Sequence, residues 1–388
     1  MPWKETSAMD ERKQFIEDWL SKRYTMMELC SRYGTSRKTG YKWVARFLAE
    51  GYEGLADRNR APKSHPNGVS DDIERLVLQA REDHPTWGPK KLKVILEKRH
   101  EDLRIPSRST IGLILKQHGL TMPRRRRRHC APSSQPFAGY DGPNSVWCAD
   151  LKGWFRTGDG LRLDPLTISD GYSRYIIRCQ AMRPVTLKGV QRIFEAAFRR
   201  FGMPLRIRTD NGSPFAGTGL GGLSRLSVWW MQLGITPERI EPGKPYQNGR
   251  HERMHLTLKQ DTASPPAKNF RAQQRRFDAF EDEFNNERPH EAIGFVPPAD
   301  LYQTSARVYP EALPPIEYSG NPITRKVQKR GEIYWGGKRV FVSEALIGQV
   351  LRLDPIDDDH FDLYFAQIKL GIFDARQLRV LRNSRRCL

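Results

Sequence analysis

Apolar residues recur at helical spacing over about the first 120 residues, in two separate groups. In the first group, three helical segments run from Asp10 to about Glu50, with Thr25 and Ser36 as N-caps and Gly34 in a turn. The second and third segments are short and joined by a tight turn, as in a helix-turn-helix. The pattern therefore predicts a helix-turn-helix domain over residues 1–57.

The third predicted helix is basic. It carries Arg37, Lys38, Lys42 and Arg46 around Trp43. Side chains of this kind on a second helix of the motif can enter the major groove of DNA. An ordinary three-helix bundle with a solvated basic face is the alternative.

The second group of helices occupies residues 70–120 and resembles a second helix-turn-helix domain. Ser70 or Asp71 caps its first helix, and Ser107 caps its last. The last helix would present Arg108 to DNA, while its apolar residues form a core.

Two segments lack apolar periodicity and are predicted to be linkers. Residues 58–69 are rich in Pro, Asn and basic residues, and residues 121–143 form a basic linker. The second contains five consecutive arginines, Arg124, Arg125, Arg126, Arg127 and Arg128. Such a run cannot fold alone. It is either a solvated linker or a segment that follows a DNA backbone.

From Val146 the pattern changes to short strand-like runs. Three strands, an amphipathic helix and a further strand predict a mixed α/β domain over residues 144–303. Further helices are expected near residues 223–233, 248–262 and 270–286.

Alternating residues beyond Pro310 predict a small β-barrel over residues 310–388. This carboxy-terminal region carries Lys338, Arg339 and Arg352. It is either a packing module or a surface for DNA or a second subunit.

The overall charge points to a polyanionic partner. Lys and Arg outnumber Asp and Glu by 65 to 45, which gives a net charge of +20 in a chain with 38% hydrophobic residues. Basic side chains that neutralise phosphates release counterions and favour nucleic-acid binding. The five cysteines are scattered and fit neither a disulfide framework nor a zinc site. With no signal core and no apolar run of membrane length, we expect a cytoplasmic, nucleoid-associated protein without a membrane partner.

Three acidic residues stand in positions suited to chemistry. Asp150 lies in an apolar strand, Asp210 follows a strand directly before a turn, and Glu252 falls in the first turn of a helix. Lys259 lies two turns further along the same helix face. Each acid alone has an ordinary structural explanation. Together, three carboxylates can hold two Mg²⁺ or Mn²⁺ ions for phosphoryl transfer.

The ordered segments around these acids resemble the retroviral-integrase (DDE) superfamily, specifically the transposases of bacterial insertion sequences. The resemblance rests on VWCADLKGWF, ISDGYSRYII, IRTDNGSPF, PYQNGRHERMHLTLK and FNNERPHEAIGFVPPADLY. It covers about residues 144–302, and the two amino-terminal helical domains fit the family more loosely.

This resemblance implies an RNase-H-like catalytic core with Asp150, Asp210 and Glu252 as catalytic and metal-binding residues. It also implies that Lys259 contacts the transposon end and that a multimer assembles on DNA. The 41 residues between Asp210 and Glu252 exceed the usual spacing. The Gly-rich segment 216–222 could absorb the excess as a loop, and Glu238 and Glu241 are the competing acids.

The implied reaction is cleavage at the element's end followed by attack of the exposed 3′-OH on target DNA. A tyrosine or serine recombinase would need Tyr246 or Ser213 as nucleophile. A catalytically silent, transposase-derived DNA-binding protein would explain the charge and the helical domains without chemistry. A plain nuclease of the RNase-H type would leave those helical domains unexplained.

Overall fold

A computed structural model describes most of the chain. The described residues are 7–59, 68–121, 140–151, 153–217, 219–241 and 249–382. They divide into two compact units, Met1–Gly68 and Val69–Leu388. The domain boundaries expected within the larger unit stay predictions.

The first unit is a three-helix domain, as predicted. Its helices are α1 (Ala8–Leu20), α2 (Met26–Arg32) and α3 (Arg37–Glu50). The Thr25 and Ser36 side chains cap α2 and α3 by accepting hydrogen bonds from backbone amides, which confirms both predicted caps. Gly34 occupies the turn with a φ of 59°, a conformation that favours glycine.

The larger unit begins with three more helices. These are α4 (Asp71–Asp83), α5 (Pro89–Arg99) and α6 (Arg108–Gln117). Ser70 stands at the N-cap position of α4, and the Ser107 hydroxyl caps α6. A cluster around the fully buried Trp87 holds the three helices together.

A six-stranded mixed sheet follows, which confirms the predicted α/β domain. Its strands are β1 (Val146–Leu151), β2 (Phe155–Arg156), β3 (Arg162–Asp170), β4 (Ile176–Met182), β5 (Arg206–Thr209) and β6 (Thr236–Arg239). The order is β2-β3-β1-β5-β6, with β4 paired to β3. Strands β1 to β4 are antiparallel, whereas β5 runs parallel to both β1 and β6.

Helices cover both faces of this sheet. They are α7 (Leu187–Phe201), α8 (Arg225–Gln232), α9 (Gly249–Thr262) and α10 (Phe270–Asn286). Trp147 and Ala149 of β1 pack with α7 and α8 in one core. Leu163, Ile176 and Cys179 pack with α9 and α10 in a second core. Successive side chains of a strand point to opposite faces, so this sheet needs two apolar layers.

The carboxy-terminal region is all β, with strands β7 (Ile323–Lys326), β8 (Glu332–Trp335), β9 (Lys338–Phe341), β10 (Val350–Pro355), β11 (His360–Phe365), β12 (Ile368–Asp374) and β13 (Arg379–Arg382). A five-stranded sheet has the order β13-β12-β11-β10-β7, and β8 and β9 form a hairpin. Through residue 382, the described strands do not close into the expected barrel.

Leu220, Leu223 and Val228 of the preceding domain pack into the same apolar cluster as this sheet. They bury apolar surface that a closed barrel would have enclosed. The described end of the Gly-rich segment, residues 219–222, therefore leads into the seam between the mixed sheet and the carboxy-terminal sheet.

Three of the five cysteines lie in the described residues. Cys30, Cys148 and Cys179 are free and buried, while Cys130 and Cys387 lie outside them. Within the same part of the chain, no helix combines the length and apolar character needed to cross a bilayer.

Candidate active site

Asp150 lies on β1, and Asp210 directly follows β5. Strands β1 and β5 pair in parallel, in a register that ends with Cys148 opposite Arg208. Each acid stands two residues beyond this last pair. Both acids therefore lie towards the carboxyl ends of two adjacent central strands.

The turn after β5 fixes the Asp210 side chain. Its Oδ1 accepts a hydrogen bond from the Gly212 amide at 3.0 Å. A Cβ at Gly212 would lie 2.9 Å from Oδ2 of the same carboxylate. Glycine at this position therefore leaves the space that the half-buried Asp210 carboxylate occupies.

Helix α9 contacts β1 at Asp150. The Nδ1 atom of His255 lies 3.7 Å from Oδ2 of Asp150, and both side chains are largely buried. On the neighbouring strand β3, Thr167 stands opposite Asp150. Its hydroxyl lies 3.2 Å from the Asp150 carbonyl oxygen.

The Thr167 hydroxyl also contacts two histidines of α9. It lies 2.7 Å from Nε2 of His251 and 2.6 Å from Nε2 of His255. A hydroxyl has one proton to donate and two acceptor lone pairs. All three contacts are therefore satisfied when Thr167 donates to the Asp150 carbonyl and accepts from both Nε2–H groups.

His251 is neutral in this arrangement. Burial lowers its pKa to about 3, and its Nδ1 lies 3.0 Å from the Ser169 hydroxyl, which donates to it in this tautomer. Helix α9 is therefore held to β3 by a buried polar network, directly next to the acidic strand end.

Glu252 lies in the first turn of α9 and is exposed, as is Lys259 two turns later. The two residues share the solvent face of the helix, as predicted. Among the described residues, no group of three His, Cys, Asp or Glu side chains is placed to hold a metal ion. Asp150 and Asp210 thus lie at the ends of adjacent strands and Glu252 on α9, without forming a closed three-residue cluster in the described part of the chain.

One competing acid has a structural partner. Glu238 on β6 forms an ion pair with the fully buried Arg208, at 2.7 Å from its Nη2. Its Oε2 also accepts a hydrogen bond from Nε of Arg208 at 3.0 Å. Glu238 is thus engaged in balancing a buried charge, whereas Glu241 is exposed at the end of the described segment.

The basic residues expected to read DNA are placed as follows. Arg37 and Lys38 are exposed in the first turn of α3. Lys42 and Arg46 stand over the Trp43 ring at 4.7 and 5.0 Å from its centroid.

Arg108 is exposed at the start of α6. Arg124, Arg125, Arg126, Arg127, Arg128 and Tyr246 lie outside the described residues.

Sequence reasoning missed the network of Thr167, His251 and His255. The available signal was the pair of histidines four residues apart that flanks Glu252, because residues at that spacing share a helix face. Their common partner on β3 is more than 80 positions earlier in the chain, where no local pattern points to it.

Comparison with known families gives four matches along the chain. Residues 141–245 and 233–298 match integrase core domains. Residues 11–63 match a helix-turn-helix domain, and residues 39–115 match a homeodomain-like domain. The two integrase-core matches together contain the three acids singled out above.

Two similar proteins come from bacterial insertion elements. The chain is 25% identical over 237 residues to the IS407 uncharacterized 31.7 kDa protein of Burkholderia multivorans, covering 59% of this chain and 82% of that protein. It is 24% identical over 244 residues to the IS476 uncharacterized 39.2 kDa protein of Xanthomonas euvesicatoria, covering 61% and 66%.

Solved integrase structures are more distant. The HTLV-2 integrase catalytic core domain in complex with magnesium is 16% identical, with a TM-score of 0.33, and the match covers 42% of this chain and 99% of that one. A chain of the simian T-cell lymphotropic virus intasome is 16% identical, with a TM-score of 0.36, covering 76% and 97%.

Proposed function

This chain belongs to the insertion-sequence transposases of the DDE integrase superfamily, and we propose that it cuts the ends of its own mobile element and joins them to target DNA. The observation that carries the proposal is the placement of Asp150 on β1 and of Asp210 directly after the adjacent parallel strand β5, in a segment that matches an integrase core domain. Helix α9, which bears Glu252, is held against the same strand through His255 and Thr167.

The donor set fits Mg²⁺ or Mn²⁺. Asp150, Asp210 and Glu252 offer only carboxylate oxygens, which hard divalent cations prefer. Asp150 stands on β1 and Asp210 directly after the adjacent β5, and Glu252 would complete the set from α9. When bound, two such ions would supply Lewis acidity to the attacking and leaving oxygens of a phosphodiester.

The protein's own residues position the DNA for two in-line displacements. In the first, water attacks the phosphorus at the element end, and the P–O bond to the 3′ oxygen breaks, leaving a 3′-OH and a 5′-phosphate. In the second, that 3′-OH attacks a target phosphodiester and the target's own 3′ oxygen leaves with a proton. Neither step needs a covalent link to the enzyme, and Lys259 would contact the element end beside Glu252.

The partner implied by this chemistry is DNA, at both the element ends and the target. Arg37, Lys38, Lys42 and Arg46 would contact the element end from α3, and Arg108 from α6. The run Arg124, Arg125, Arg126, Arg127 and Arg128 would follow the phosphate backbone. Because two ends must be cut and joined together, we propose that a homo-oligomer assembles on DNA.

The test is cleavage of a labelled duplex that carries one end of the element, with Mg²⁺ or Mn²⁺ present. Asp150→Asn and Glu252→Gln should each lower the cleavage rate by at least about 100-fold, with duplex binding retained. Glu241→Gln is the matched control, because it removes one exposed negative charge in the same domain.

Three results are decisive. Loss of cleavage in the Asp150 and Glu252 variants alone supports the assignment. Loss in the Glu241 variant, with the Glu252 variant active, would transfer the third role to Glu241. Duplex binding without cleavage by the wild type would favour a catalytically silent DNA-binding protein.

A further inference from the structure

A cavity of about 500 Å³ lies between α5 and α9. Its wall also includes the turn between β3 and β4 and the segment that follows α10. The cavity thus joins the helical group at the start of the larger unit to the helix that carries Glu252. We refer to it as the basic cavity.

Five cationic side chains line the basic cavity: Lys91, Arg174, Arg250, Arg253 and Arg288. Arg288 is largely buried and pairs with Asp261 at 3.2 Å. In the described part of the chain, Lys91, Arg174 and Arg253 have no ion-pair partner. The cavity therefore gathers five cationic groups, three of which form no direct ion pair with the described residues.

The two acids in the cavity wall have other partners. Asp170 accepts hydrogen bonds from the Asn144 amide at 2.8 Å and from the Ser173 amide and hydroxyl at 2.7 and 2.6 Å. Glu291 forms an ion pair with Lys90. Neither acid is placed as the counterion of Lys91 or Arg174.

This arrangement costs free energy in the absence of an anion, because burial of a charge without a partner is unfavourable. Burial and the neighbouring Arg288 and Arg253 lower the pKa of Lys91 to about 7. Burial and the neighbouring Arg250 lower the pKa of Arg174 in the same way. A bound anion would remove this repulsion.

His290 supplies a second, independent feature of the wall. Its Nε2 is buried and has no hydrogen-bond partner among the described residues. Burial, followed by Lys91, Arg288 and Arg174, lowers its pKa to about 3, so the ring is neutral. A hydrogen bond with the Phe284 backbone acts in the opposite direction and raises this pKa. It places the single proton of the neutral ring on Nδ1 and leaves Nε2 as an acceptor.

We propose that the basic cavity binds a phosphate of the DNA backbone at the element end, held jointly by Lys91 of α5 and Arg174. This inference rests on the proposed function, because it assumes that the element end lies along α9. In this arrangement α5 would hold the DNA strand beside Glu252. The same phosphate would then serve both to recognise the element end and to position that DNA strand for cleavage. The volume exceeds that of a single phosphate and admits the attached sugar.

The test measures binding of the full chain to labelled element-end duplexes, each carrying one neutral methylphosphonate in place of a phosphate. In the wild type, one position should weaken binding by about tenfold, the effect of losing a hydrogen bond to a charged group. In the Lys91→Gln and Arg174→Gln variants, a methylphosphonate at the same position should not weaken binding any further. Lys98→Gln, which removes an exposed charge at the other end of α5, should behave as the wild type does.

The outcomes separate this inference from the proposed function. The methylphosphonate could weaken binding equally in the wild type and in the Lys91 and Arg174 variants. That result would contradict phosphate binding by the basic cavity, while cleavage by the wild type would still support a transposase. If these variants lose affinity only for inorganic phosphate and bind DNA normally, the ligand is a free anion and the DNA assignment is wrong. Failure of the wild type to bind any duplex contradicts both.

The pH dependence gives a further readout, because Lys91 titrates near neutrality. The charged and titratable groups around it are Arg288, Arg253, Asp261, Glu283, Glu291 and His290. A bound phosphate favours the protonated amine, so affinity should fall as the pH rises from about 7 to 8. Lys91→Arg, which stays charged, should bind with no such fall; a fall of equal size in this variant would exclude Lys91 as its cause.

Discussion

Removing the Thr167 hydroxyl is the simplest test of how α9 is attached to the mixed sheet. Thr167→Val keeps the shape of the side chain and removes the hydroxyl that lies 2.7 and 2.6 Å from the two histidine Nε2 atoms. Both buried histidines would then lose the hydrogen bond to this hydroxyl. Each such loss costs about 1–3 kcal/mol, so we expect α9 to lose about 2–6 kcal/mol of local stability.

Native-state hydrogen exchange measures this local free energy directly. Amides of α9 should exchange about 30- to 20,000-fold faster in Thr167→Val, since about 1.4 kcal/mol is a factor of ten. Thr167→Ser keeps the hydroxyl and loses one methyl group, so its exchange should accelerate by less than about tenfold. Equal exchange in the Val and Ser variants would refute the polar network as the attachment of α9.

Three further predictions concern other parts of the larger unit. Gly212→Ala should move the Asp210 carboxylate from its 2.9 Å contact and lower the cleavage rate at least about tenfold, with the melting temperature nearly unchanged; full activity would show that the carboxylate position is unimportant. Leu223→Ala should lower the free energy of unfolding by about 2–4 kcal/mol in urea titrations, because Leu223 is buried in the seam with the carboxy-terminal sheet; no change would argue against that seam. The pKa of His290 is lowered to about 3, below its unfolded value of about 6.5, so the unfolded chain binds the extra proton and stability falls as the pH drops below about 6.5. Melting temperatures at pH 7 and 5 should differ less in His290→Gln than in the wild type, and an equal difference would exclude His290 as a cause.

Local features of the chain could be predicted because neighbouring residues determine them. The caps Thr25, Ser36 and Ser107 and the bounds of α10 follow from side chains within a few positions. Strand β6 was missed, because Thr236–Arg239 is short, contains proline and two charged residues, and is a strand only through its pairing with β5.

The candidate site was predictable in part. Asp150, Asp210 and Glu252 stand in recognisable motifs, but their mutual position depends on strand register and on the placement of α9. Thr167 and the basic cavity could not be predicted, because their contacts join segments far apart in the chain. The open carboxy-terminal sheet was also not predictable, since its apolar surface is covered by Leu220 and Leu223 from another domain.

The most direct test of the central claim is the joining of labelled element ends to a plasmid by the purified full chain, with Mg²⁺ or Mn²⁺. We expect joined products from the wild type and none from Asp150→Asn, with equal binding of the ends by both proteins. Joined products from Asp150→Asn at the wild-type rate would contradict that claim.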